Sequence, residues 1–166
     1  VRCSEASMLG TMSMTFVARR VTLTELARIQ ETPADAHRLL GDPKKGWTFS
    51  DQMYAAINYC VTGDAKANKG PGAAFHGGKD IGPKGDHGPA RYVEPPAVVK
   101  VSELLAKVSK KGFMANFEPE AMNEDDDIDP PVEEDDGATL WERFCELRSL
   151  YDEAANAGDA MLLGVS

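Results

Sequence analysis

Apolar and polar residues alternate from Thr11 to Val21, with Met12, Met14, Phe16 and Ala18 on one face, so the segment is expected to form a strand. Thr22 and Glu25 follow with the spacing of a capping box and predict a helix through Gln30. Thr32 before Pro33 is expected to cap a second short helix that holds Leu39 and Leu40 and stops at Gly41. Ser50 is expected to cap a third, in which Met53, Ile57, Cys60 and Val61 recur at helical spacing until Gly63.

Periodicity fails from Gly63 to Tyr92, which holds eight of the fifteen glycines, three prolines and two of the three histidines. So long an irregular stretch inside a domain is a candidate functional region. Arg91-Tyr92-Val93 reads as a short extended piece. Pro95-Pro96 then opens a helix with Val98, Val101, Leu105 and Val108 facing inward and Gly112 as its stop. Pro119 begins another turn or two, and the acidic run from Glu124 to Asp136, broken by Pro130-Pro131, is expected to be an exposed loop.

The clearest pattern comes last. Thr139 and Glu142 have capping-box spacing, and Leu140, Phe144, Leu147, Tyr151 and Ala154 recur down one face until Gly158. Ala160 to Val165 is apolar throughout and is expected to be a buried strand beside the first.

With 166 residues, 42% of them hydrophobic, the chain has material for one domain with its own core. No stretch is long and apolar enough to span a membrane, and the N-terminal residues lack the apolar segment of a secretory signal, so the expected compartment is the cytoplasm. Three cysteines without a CxxC pair fit that compartment, and Cys60 and Cys145 read as core residues rather than reactive thiols. Charge is distributed unevenly. From Asn116 to Ser166 there are sixteen acidic residues against two basic, Arg143 and Arg148, a net of −14 in a chain whose total is −9. No basic stripe offsets phosphate charge, so nucleic acid is not an expected partner; a basic protein is the better electrostatic match.

Candidate chemistry is sparse. Asp125, Asp127 and Asp129 alternate as in a calcium loop, but Pro130 stands where the turn needs glycine and Asp136 where it needs glutamate. Glycine-rich phosphate loops, a GxSxG elbow and HExxH are missing from the sequence. His76, Asp80, Asp86 and His87 are suitable ligand types at a spacing that matches no metal signature, so no metal or cofactor is assigned. His37 reads as a surface or half-buried residue. Arg91, between apolar neighbours, is expected to pair with a carboxylate, with anionic ligand binding as the alternative.

Ile57-Asn58-Tyr59-Cys60-Val61-Thr62-Gly63, Gly88-Pro89-Ala90-Arg91-Tyr92, Phe117-Glu118-Pro119-Glu120-Ala121-Met122 and the stretch from Tyr151 to Ala160 together resemble, in order, segments of the YfbM-like family of bacterial proteins. Family members often carry Trp and His in the third helix, where this chain has Tyr54 and Asn58. The resemblance implies an α/β fold, a three-layer, helix-rich sandwich around a small mixed sheet that includes the N-terminal and C-terminal strands. It implies no reaction. Residues 1–11 precede the usual family start and are expected to be a disordered extension to a single domain over 12–166.

Two functional expectations follow. The first is a non-enzymatic binding protein that engages a protein or small ligand, one form being an acidic, immunity-type inhibitor of a basic effector. The second is a metal-assisted hydrolase or other enzyme using the Gly63–Tyr92 region. The residues expected to line a ligand site are Asn58, Thr62, His76, His87, Arg91 and Tyr92.

Overall fold

A computed structural model describes residues 14–166; the expected N-terminal extension and the start of the first strand lie outside the described residues. The strands are β1 (Phe16–Val21), β2 (Thr48–Asp51), β3 (Lys79–Gly85), β4 (Gly88–Val93) and β5 (Ala160–Val165). They form one sheet in the order β2-β1-β5-β4-β3. Every neighbouring pair runs antiparallel, which corrects the expected mixed sheet: β5 lies between β1 and β4 and runs opposite to both.

Because strand side chains alternate, the sheet has two buried faces. Phe16, Ala18, Phe49, Val93, Met161 and Leu163 point into the larger core, and Val21, Ile81, Ala90, Ala160 and Leu162 into the smaller one. Helices α1 (Leu23–Glu31) and α2 (Asp35–Leu40) cover the smaller face through Leu26, Ile29, Ala36 and Leu40. The larger face is covered by α3 (Tyr54–Thr62), α4 (Ala73–His76), α5 (Pro95–Ala106), α6 (Lys110–Asn116), α7 (Pro119–Asn123) and α8 (Gly137–Ala157). The result is the expected three-layer α/β arrangement. Gly164 on β5 lets the smaller layer sit close, since a Cβ there would lie 2.5 Å from Leu40 Cδ1.

Helix punctuation follows the sequence closely in places. Thr22 and Glu25 form the capping box of α1, and Gly63 and Gly158 end α3 and α8 in the left-handed region. All five residues of the Leu140-to-Ala154 stripe are buried. Several starts differ. Ser50 belongs to β2, and α3 begins at Tyr54, where Asp51 Oδ1 accepts from the Met53 amide. Thr32 closes α1 rather than capping α2, and α8 starts two residues before Thr139. Gly112 does not stop a helix: α5 ends at Ala106, and Ser109 caps α6 by accepting from the Gly112 amide.

The Gly63–Tyr92 stretch is largely ordered into regular elements. A 3-10 turn over Gly70–Gly72 leads into α4, and β3 and β4 form a hairpin across Asp86-His87. The acidic run keeps its carboxylates outside, but Ile128 and Val132 are buried in the larger core.

Candidate functional site

The residues singled out in the sequence divide into a group that meets and a group that does not. On α3, Asn58 and Thr62 stand four and eight residues after Tyr54 and share its helix face. Asn58 is fully buried, and its Nδ2 donates to the carbonyls of Ala65 (3.2 Å) and Ala67 (3.1 Å). This ties the connector after Gly63 back onto the helix. Thr62 Oγ1 accepts from the Asp64 amide and lies 2.8 Å from the Asn58 carbonyl, which closes the same turn.

The connector delivers α4, whose carbonyls are held from two sides. Tyr151 of α8 donates to Ala74 O (2.8 Å), and Arg91 of β4 donates through Nη2 to Phe75 O (3.3 Å). His76 is thereby set edge-on to Tyr54, with ring centroids 6.2 Å apart. Tyr54 in turn stacks on Phe16 at 5.7 Å. Burial and the charge of Arg91 push the His76 imidazole below its ordinary pKa, against a hydrogen bond to the Ala65 backbone and the charge of Asp64. The balance favours the neutral imidazole.

Arg91 departs from its expected role. Among the described residues no carboxylate lies within ion-pair distance of it, and its Nε is buried without a hydrogen-bond partner. Asn58 Oδ1 is also buried and unpartnered.

The fourth wall comes from the acidic run. Asn123 clamps it in two directions, donating to Val132 O and accepting from the Val132 amide, each at 2.8 Å. Between those clamps Asp126, Asp127 and Asp129 reach a cavity of about 340 Å³ that Tyr54, Lys66 and His76 also line. Lys66 pairs with Asp127 at 3.2 Å. Burial first, and then the charge of Asp127, raise the Tyr54 hydroxyl above its ordinary pKa, so it stays protonated as a donor.

His87 and Tyr92 lie elsewhere. His87 is exposed on the β3–β4 turn, on the order of 20 Å along the hairpin from the Lys79–Tyr92 pair beside α4. Tyr92 follows Arg91 on a strand, so it faces the other side of the sheet and packs on the smaller core. His37, on α2, places Nε2 3.3 Å from Pro83 O. Cys60 is buried, and that burial pushes its thiol up to about 12. Cys145 is only half-buried, with Arg148 Nη2 3.5 Å from its sulfur.

Among the described residues no three His, Cys, Asp or Glu side chains gather to hold a metal ion. A larger cleft of about 560 Å³ separates β2 from α8, but its cation, Arg143, is engaged by Asp51 (2.6 Å), Glu146 and the Ser50 carbonyl. The His76 cavity is thus the better candidate. Its chemistry is mixed: carboxylates at the mouth, an aromatic wall, and a neutral imidazole backed by an arginine. Of the residues expected to line a ligand site, His76 lines this cavity, Asn58, Thr62 and Arg91 stand behind it as supports of its backbone, and Tyr54, Lys66 and Asp126 carry no signal of their own in the sequence, while Asp127 and Asp129 stand out there only as an imperfect calcium-loop pattern. For Tyr54 the available signal was the Tyr54-Asn58-Thr62 spacing. No described helix is long and apolar enough to cross a membrane.

Comparison with known proteins agrees with this architecture. The solved structure of YfbM from Escherichia coli, a protein of unknown function, superposes with a TM-score of 0.71 at 15% identity, covering 92% of this chain and 99% of that one. At that identity the likeness is one of fold. Nothing among curated proteins matches the chain. The family model described as a domain of unknown function, DUF1877, matches residues 12–163, and the chain belongs to that family.

Proposed function

We propose that the protein is a binding protein that receives a positively charged group, carried by a partner protein or a small ligand, in the His76 cavity. The observation behind this reading is the clamped acidic segment. Ile128 and Val132 are buried and Asn123 closes the loop on itself, so Asp126, Asp127 and Asp129 are held at the mouth. A purely solvating tail needs no such anchoring. Tyr54 adds an aromatic wall, which suits an ammonium or guanidinium. The net of −14 over residues 116–166 would steer a basic partner toward this face. An acidic inhibitor of a basic protein is one form this function takes.

The hydrolase alternative is less well supported, since His87 stands at the hairpin tip and only His76 reaches the cavity.

An amidated tri-arginine peptide titrated by calorimetry tests the reading. Wild-type protein should bind it, and the triple variant Asp126→Asn, Asp127→Asn, Asp129→Asn should lose at least tenfold in affinity. Raising ionic strength from about 0.01 M to about 1 M should weaken it comparably. Equal binding by the triple variant would place the contact elsewhere and end the proposal.

A further inference from the structure

The depth of the cavity differs chemically from its mouth. Asp126, Asp127 and Asp129 are exposed, whereas His76 is half-buried. The two buried side-chain polar atoms without partners among the described residues belong to side chains that hold the backbone of that inner wall from outside the lining. Asn58 Oδ1 belongs to an amide that holds the carbonyl of Ala65, a wall residue. Arg91 Nε belongs to a guanidinium that holds the carbonyl of Phe75, the neighbour of His76. Native interiors rarely leave such atoms unsatisfied, and a partly buried guanidinium without a counter-charge is the costlier of the two. Asn58 Oδ1 is an acceptor and adds no positive charge, so the positive field behind the inner end comes from the Arg91 guanidinium, which has no ion-pair partner among the described residues, while at the mouth three carboxylates outnumber the single cation Lys66.

We propose that the cavity takes a molecule carrying both charges, a basic amino acid or the basic C-terminal residue of a polypeptide, with its carboxylate toward His76 and Arg91 and its cation among Asp126, Asp127 and Asp129. This rests on the reading that the cavity receives a basic group, and adds the carboxylate to it. The volume of about 340 Å³ lies at the small end of ligand pockets, as a single amino acid requires. Arg91 acts through the imidazole: it lies outside the lining and keeps a positive field behind His76.

The test is a matched pair of probes on the full chain, L-arginine and agmatine, which share the guanidinium and differ in the carboxylate. L-Arginine should bind at least tenfold more tightly than agmatine, and Arg91→Gln should bring the two affinities together while Arg91→Lys keeps them apart. The wild-type comparison stands even where a variant fails to fold. Agmatine binding as tightly as L-arginine overturns the carboxylate site and leaves the cation reading intact. Tri-arginine amide binding while neither small probe binds also overturns it, and failure of all three sinks both readings. Nα-acetyl-L-arginine separates the two sources: binding equal to L-arginine identifies a chain terminus, and weaker binding a free amino acid.

Discussion

His76 joins three parts of the molecule through one ring, because Tyr54, the Ala65 backbone and the field of Arg91 all act on it. Burial and Arg91 lower its pKa below the usual 6.5, so the unfolded chain binds the proton more readily than the folded one. The stability that the neutral ring contributes is complete above about pH 6.5 and is lost as pH falls through the depressed folded value. Arg91, Lys66 and Asp64, with Asp126, Asp127 and Asp129, are the charged groups around it. His76→Gln should flatten the fall in stability between about pH 6.5 and pH 5, measured by urea unfolding at each pH. An unchanged slope would mean that other groups carry it. Tyr92 makes the complementary point: adjacent strand residues face opposite ways, so Arg91 and Tyr92 never could share one pocket once 91–93 was read as extended.

Among the elements, those with many repeats of a pattern were legible and those with few were not. α8 shows a stripe of five buried residues over about four turns and β5 an unbroken apolar run, and both stand where the pattern put them. β2 has four residues and one buried side chain, Phe49, so its pattern cannot be told from a helix start. β3 carries Gly82 and Pro83 within seven residues and buries only Ile81; its place at the sheet edge tolerates both. The candidate site was half legible for a related reason. His76 announces itself by type, but the aspartates share its cavity only because a segment some fifty residues away folds back. Asn123 governs that return. Asn123→Ala removes two hydrogen bonds and should cost about 2 kcal/mol in chemical denaturation, with a parallel loss of tri-arginine binding. Lost binding with undiminished stability would show that the clamp orients the loop without supporting the core.

For the molecule as a whole, charge acts with opposite signs on folding and on binding. Sixteen acidic residues in the final third repel one another, so added salt should raise the melting temperature even as it weakens the basic ligand's grip. Thermal melts of the free protein and titrations of the complex across one salt series check both directions; a melting temperature that falls with salt would mean that surface ion pairs outweigh the repulsion. The sheet has its own consequence at this scale. In the sheet order β5 joins β1 and β2 to β4 and β3, and Phe16 pairs with Val165 on the neighbouring strand, so the two halves meet late in sequence. Closing so long a loop comes before most of the gain from burial, which makes this a slow-folding topology for its size. Until β5 is inserted, β1 and β4 each show an open apolar edge, and newly made chains in that interval are the ones most exposed to self-association and to chaperone capture.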